Sequence, residues 1–330
     1  MLAVRYYGIG DVRVENIAKP VCGPGEVLIK VAYAGICGSD LHIFRKGMFV
    51  TYTPETMGHE FVGTVEAVGE GVTAFKPHDH VVGDPRVGCG TCEWCRQGAF
   101  NLCPSLGFIG EVSQGCFAEY IVMDARKLFL VPPEVELRRA ALVEPLAVAL
   151  HILTLGGVSE TDSLGIVGAG PIGLLTVVAA KAVPVKQVTV IDISSTRLEL
   201  ARKLGADNVL PAFPDDPTDG VDAVVEAVGI EATLTGALKW LKPQGRLVMA
   251  GLYEEKVHLD PNDIVAKEMK LVGVNAYETA DMKRAVDFLA CSSAALEQVI
   301  SHVLPLSSAP EGFYLLTSPG PKAAKILLAP

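Results

Sequence analysis

Hydrophobic and polar positions follow two different rhythms along this chain, and the change falls near residue 145. Up to that point, short apolar or alternating runs at 27–32, 61–68 and 117–123 lie between stretches of glycine, proline and other turn formers. Such runs predict β-strands, so the first part is expected to be an irregular, largely antiparallel β domain whose loops carry its chemistry. At 146–155 the pattern becomes an apolar helix, and strand-type runs then alternate with helical ones. Strands are expected at 164–167, 187–191, 223–225, 246–250 and 270–274, and helices at 194–204, 233–241 and 281–290. That alternation predicts a parallel sheet with helices on both faces. The tail from Val299, ending Ala324-Lys325-Ile326-Leu327-Leu328-Ala329, reads as strand and is expected to return to the first domain.

Composition agrees with two domains. At 330 residues the chain is longer than a single core usually fills, roughly 250–300 residues. The formal charge of −10 argues against a nucleic-acid or anionic-membrane partner and favours a small molecule. The nearly apolar stretch 164–180 is interrupted by Gly165, Gly168, Gly170, Pro171 and Gly173, and it falls short of the roughly 20 residues that span a bilayer. The start, Met1-Leu2-Ala3-Val4-Arg5-Tyr6-Tyr7, lacks the basic and apolar regions of a secretory signal, so a cytoplasmic location is expected.

Two clusters carry metal-ligand chemistry. Cys89, Cys92, Cys95 and Cys103 form a C-x2-C-x2-C-x7-C run, whose four thiolates can enclose one tetrahedral zinc that holds a loop and takes no part in reaction. In a reducing compartment a disulfide reading is poor, and the iron–sulfur alternative lacks a second cluster motif. Cys22, Cys116 and Cys291 are isolated and expected to be structural. The second cluster is discontinuous: Cys37, Ser39 and His42 in one stretch, His59 and Glu60 in another, and Glu144 in a third. Cysteine, histidine and carboxylate together suit zinc, and three protein ligands leave a position open. Taken alone, Cys37 reads as a small buried hydrophobe, Ser39 as a turn hydroxyl and His42 as a surface histidine. Pro145 biases Glu144 toward an extended conformation, so its carboxylate is expected to project from a loop. Whether Glu60 or Glu144 is the third ligand stays open.

The run at 164–167 leads into Gly168-Ala169-Gly170-Pro171-Ile172-Gly173 and then a helical stretch, and the next strand ends in Asp192. Strand, glycine turn, helix, strand and acidic residue in that order make a dinucleotide-binding unit. Gly168 allows the turn, Gly170 lets the backbone approach a pyrophosphate, and Gly173 lets helix and strand pack closely. Asp192 suits the adenosine ribose and favours NAD over NADP, although Arg197 nearby can accommodate an extra phosphate. The other reading of Asp192 is a helix cap. Further along, Val228, Ala250, Gly251 and Asn275 are candidate cofactor contacts.

Taken together, these motifs resemble the zinc-dependent medium-chain alcohol dehydrogenases, over essentially the whole chain. Within that family the stretches 101–110, 117–120, 144–151 and 259–264 look most like the 2,3-butanediol and polyol (sorbitol-type) branch. The resemblance implies an α/β chain with a GroES-like catalytic domain at 1–145 and 291–330 and a Rossmann domain at 146–290, the active site lying in the cleft between them. It implies two zinc ions per chain, one on Cys37, His59 and Glu60 or Glu144, the other on Cys89, Cys92, Cys95 and Cys103. It implies a Ser39–His42 proton relay, NAD as hydride carrier, and a homodimer or homotetramer. Ile43, Phe44 and Phe108 are candidates for the substrate wall. The expected reaction is reversible oxidation of a small diol or polyol to a ketone. The alternatives are an L-threonine or sugar-alcohol dehydrogenase and, outside the enzymes, a low-turnover NAD-binding regulatory protein. Three features depart from the family: His78 stands where a turn usually has glycine, Pro184 interrupts a helix exit, and 207–222 is short, with no clear helix.

Overall fold

In the computed structural model, residues 1–215, 220–291, 294–318 and 323–330 are described. They divide into two units. The first comprises Met1–Glu144, Glu278–Ser293 and Ile300–Pro330. Strands β1 (Leu2–Gly8) and β2 (Asp11–Asn16) pair antiparallel, with β4 (Glu55–Thr56) on the other side of β1. A larger sheet is built around β3 (Glu26–Gly35), which lies between β5 (Glu60–Val68) and β18 (Lys325–Ala329). Strands β6 (His80–Gly83) and β10 (Leu128–Leu130) continue it beyond β5, and β17 (Ile300–Pro305) continues it beyond β18. Strand β9 (Tyr120–Asp124) pairs with the start of β3, and the short β7 (Arg86–Val87) and β8 (Gly107–Phe108) pair with each other. In β3, Val27, Ile29 and Val31 are buried while Lys30 faces out, and the buried side chains join Phe61, Val65, Phe117 and Phe313 in one core.

The tail is more than strand. Between β17 and β18 a helix, α10 (Ala309–Thr317), starts with Pro310 in its first turn, where a missing N–H costs nothing. Its Phe313 ring lies 5.3 Å from that of Phe44. The first unit also takes in α9 (Thr279–Cys291), which the sequence boundary at 291 had left with the nucleotide half. Met282, Ala285, Val286 and Leu289 of α9 are buried at helical spacing.

Glu55 of β4 is fully buried; one carboxylate oxygen accepts from the Tyr52 hydroxyl at 2.9 Å and the other has no hydrogen-bond partner. Burial pushes this carboxyl up to about 7 from its ordinary 4.5. A raised folded-state value means that the folded chain holds this proton more tightly than the unfolded one. Its contribution to stability is therefore full below pH 4.5 and fades as pH rises toward 7. Glu55→Gln, which cannot ionise, is expected to gain on the parent protein by about 1–3 kcal/mol between pH 5 and pH 8. Denaturant unfolding at the two pH values reads this, and a gap that stays constant would show that Glu55 does not titrate in that window.

The second unit comprises Pro145–Tyr277 and Ala294–Val299. Its sheet holds β11 (Ser163–Val167), β12 (Gln187–Ile191), β13 (Asn208–Leu210), β14 (Val221–Glu226), β15 (Leu241–Met249) and β16 (Lys270–Gly273). All pair parallel in the order β13-β12-β11-β14-β15-β16, so the order reverses between β11 and β14. Helices α5 (Pro171–Ala182), α6 (Ser195–Lys203) and α7 (Glu231–Trp240) connect successive strands. Between β13 and β14 no helix occurs among the described residues; 216–219 lie outside them. Helix α5 ends at Ala182, just before Pro184, and His78 adopts φ 75°, a left-handed conformation that usually belongs to glycine.

Candidate active site

The antiparallel register of β3 and β5 builds the first cluster, because Gly35 pairs with Glu60. Cys37, just beyond β3, is thereby brought beside His59, just before β5. Potential ligand atoms of Cys37, His59 and Glu60 all lie within 4.8 Å of one another. Glu144 is not in that group, although its charge acts on His59. Glu144 is buried in the first turn of α4 (Val143–Leu155), not in an extended loop. Pro145 is tolerated there because first-turn N–H groups need no intrahelical partner, which outweighs its local bias on the preceding residue.

Helix α1 (Gly38–Lys46) starts at Cys37, whose N–H donates to Asp40 Oδ2 at 2.8 Å. Asp40 is fully buried, and its Oδ1 lies 3.9 Å from His59 Nδ1. This places a carboxylate behind the imidazole, beyond hydrogen-bond distance but near enough for its charge to act on the ring. Ser39 Oγ is 3.4 Å from His59 Nε2. His42 lies farther along α1, partly exposed. The Phe108 ring is 5.5 Å from that of His59, so it borders the cluster. Ile43 and Phe44, candidates for the substrate wall, are buried in the hydrophobic core of the first unit.

One further residue was hidden from sequence reasoning. Lys325 of β18 is almost wholly buried; its ammonium donates to the Ile36 carbonyl at 3.0 Å and pairs with Glu60. A side chain on Gly35 would strike both the Glu60 carboxylate, at 2.4 Å, and Lys325 Cε, at 2.7 Å. Glycine is needed there for the pair to form.

The charges around the cluster favour a cation. Burial raises the Cys37 thiol, and the Glu60 carboxylate raises it further. Burial likewise raises Asp40. Burial alone would make His59 less basic, but Asp40 and Cys37 overcome that and raise it well above its ordinary value. A thiol, an imidazole and three carboxyls are thus crowded around one buried ammonium, and a divalent ion relieves the repulsion while using their donor atoms. The residues fit zinc.

The second cluster is a short lobe. Ligand atoms of Cys89, Cys92, Cys95 and Cys103 lie within 4.8 Å of one another, and all eight cysteines of the chain are free. Cys92 caps α2 (Glu93–Arg96) by accepting from Cys95 N–H. Cys89 Sγ accepts from Cys92 N–H, and Cys103 Sγ from Cys89 N–H, both at 3.3 Å. Donors from Thr91 and Cys92 hold Cys89 down at about 6, whereas burial pushes Cys95 up to about 12. Such a set is stable as thiolates only around a cation, and four sulfurs close its shell.

In the second unit, Gly170 precedes α5, and a side chain on Gly173 would lie 1.8 Å from the Gly168 carbonyl. Asp192 follows β12; its Oδ2 accepts from Ala169 N–H and its Oδ1 from Ser194 N–H, both at 2.7 Å. It therefore braces the glycine turn, and the cap of α6 is Ser194, which accepts from Arg197 N–H. Pro171 and Ile172 form the first turn of α5. Val228, Ala250, Gly251 and Asn275 follow the carboxyl ends of β14, β15 and β16. Ile193, beside Asp192, is 94% exposed, an apolar side chain the sequence reading passed over.

Residues 23–133 match the alcohol dehydrogenase GroES-like domain family, and residues 171–291 match the zinc-binding dehydrogenase family. Human sorbitol dehydrogenase is 34% identical over 327 residues, covering 94% of this chain and 91% of its own length. The (R,R)-butanediol dehydrogenase of Bacillus subtilis (strain 168) is 37% identical over 297 residues, 84% of this chain and 85% of that one. The crystal structure of 2R,3R-butanediol dehydrogenase from Bacillus subtilis superimposes with a TM-score of 0.92 at 33% identity, covering 100% of this chain and 99% of that one. A zinc-binding dehydrogenase from Sinorhizobium meliloti 1021, solved with NADP, also reaches 0.92, at 32% identity and the same coverage. The chain belongs to the zinc-dependent medium-chain alcohol dehydrogenases. It is an oxidoreductase acting on the CH–OH group of a small alcohol, with a GroES-like domain and a Rossmann domain. Among the described residues no helix is long and apolar enough to cross a membrane.

Proposed function

We propose that the chain oxidises a small vicinal diol or polyol to a ketone, reversibly, using NAD. The observation that carries this reading is the convergence of half-buried Cys37 with buried His59 and Glu60, with the Ser39 hydroxyl beside His59. These three residues would hold the catalytic zinc and Cys89, Cys92, Cys95 and Cys103 the structural one. When bound, the catalytic zinc supplies positive charge that makes an alcohol proton more acidic, and NAD accepts the hydride. Ser39 accepts the alcohol proton as it releases its own hydroxyl proton, and His42, partly exposed on the same helix, passes a proton outward. The charge of Asp40 acts on the imidazole of His59 from behind. Phe108 excludes water from the reacting carbon. Asp192 holds the adenosine ribose, favouring NAD; Arg197 leaves some tolerance for NADP. We further propose a homodimer or homotetramer, located in the cytoplasm.

Initial rates of NADH formation test this with 2,3-butanediol stereoisomers, sorbitol, other polyols and L-threonine. Turnover on a diol or polyol is the expected result. Turnover on L-threonine alone would shift the substrate class. NAD bound without turnover on any of them, with zinc only in the four-cysteine lobe, would overturn the enzyme reading in favour of a regulatory protein.

A further inference from the structure

Glu226 is the last residue of β14 and is wholly buried, yet the motifs above give it no role. It stands where the strand order reverses, in register with Val167 of β11 on one side and Met249 of β15 on the other. Its Oε1 accepts from Val228 N–H and Gly229 N–H, both at 3.0 Å. Its Oε2 accepts from the Tyr253 hydroxyl at 2.8 Å and more weakly from Gly229 N–H at 3.2 Å. The Thr233 hydroxyl lies 2.8 Å from Oε1 and 2.9 Å from the Ile230 carbonyl, and shares its proton between them. The main-chain oxygen of Glu226 accepts from Ala250 N–H at 2.9 Å and Gly251 N–H at 3.0 Å. One residue thus ties together the turn after β14 and the turn after β15.

These partners suit an ionised carboxylate. They are donors aimed at both oxygens, and the start of α7 adds its positive dipole end. The packing is also close: a side chain on Gly251 would meet Gly229 N at 2.4 Å and Glu226 Oε2 at 2.7 Å. Val228 in turn rests on the glycine turn, since a side chain on Gly168 would meet its Cγ2 at 2.6 Å. Ligands of such sheets bind at the carboxyl ends of the strands, at this reversal point.

We propose that Glu226 is a positioning residue of the cofactor site, holding the turns 228–233 and 250–253 in the arrangement that receives the nicotinamide half of the dinucleotide. This rests on the reading of the second unit as an NAD site. A glutamine at 226 replaces the carboxylate poorly: whichever way its amide turns, the NH2 faces the Gly229 N–H, which lies 3.0 Å from one carboxylate oxygen and 3.2 Å from the other, and the negative charge is lost.

The test is equilibrium binding of NADH, followed by its fluorescence, and of AMP, followed by calorimetry, to the full chain and to Glu226→Gln and Tyr253→Phe. The Kd for NADH is expected to rise about tenfold in Glu226→Gln and about threefold in Tyr253→Phe. The Kd for AMP, which lacks the nicotinamide half, is expected to stay within about twofold in both. Unchanged NADH binding in both variants, or an equal loss for NADH and AMP, overturns the proposal; the second result would mean general damage to the nucleotide unit. If Glu226→Gln does not fold, the split in Tyr253→Phe decides alone. Failure of the unaltered chain to bind NADH would instead remove the NAD reading itself.

Discussion

Replacing Cys37 by serine is expected to slow alcohol oxidation by at least about a thousandfold and to lower bound zinc from about two ions per chain to about one. Serine nearly matches cysteine in size, so the start of α1 keeps its shape. Its hydroxyl, however, stays protonated at neutral pH and is a poor zinc donor. A thousandfold is about 4 kcal/mol of transition-state stabilisation, the scale on which a Lewis acid acts. NADH binding is expected to survive, because the glycine turn and Asp192 belong to the other unit. Metal analysis and steady-state rates on the same preparation check both halves of the expectation. A variant that keeps both zincs and more than a tenth of the rate would show that Cys37 is not a ligand.

The second large effect is expected on stability. Cys95 is, with Cys103, one of the two buried cysteines of the lobe, and burial holds its thiol at about 12 unless a cation compensates the thiolate. Cys95→Ser is expected to release the lobe zinc and to lower the melting temperature by on the order of 10 °C, since structural zinc contributes directly to folding free energy. A chelator strong enough to strip the lobe should reproduce the drop in the unaltered protein and leave the variant nearly unaffected. An unchanged melting temperature, with zinc still at two per chain, would contradict the closed four-sulfur site.

Sequence made the lobe legible because all four of its ligands fall within one short stretch, and spacing alone suffices for a loop that wraps an ion. The glycine turn was legible for the same local reason, with strand, turn and helix consecutive. The choice between Glu60 and Glu144 was not, because it depends on the β3–β5 register and on a helix beginning before Pro145. Lys325 was invisible as a partner of Glu60, since its strand reaches β3 from far along the chain. Asp40 lies between Ser39 and His42 in the chain, but its position behind His59 is a tertiary fact. Ile43 and Phe44 were offered to the substrate because hydrophobic residues near a ligand look alike in sequence; burial assigns them to the core. α10 was missed because a short helix between two strands leaves too few turns to establish a period.

The hydrogen bond from Lys325 to Ile36 joins residues 289 positions apart. Strand β3 and the cysteine beside it emerge early in synthesis, but the cation that balances Glu60 arrives only after the whole nucleotide-binding unit has been made. Contacts of such long range form late. During that interval Glu60, beside Cys37 and His59, lacks the ammonium that pairs with it in the finished fold. The lobe, made of neighbours in sequence, closes without waiting. Newly made chains are therefore expected to fill their two sites in a fixed order, the four-cysteine lobe first and the Cys37 site last.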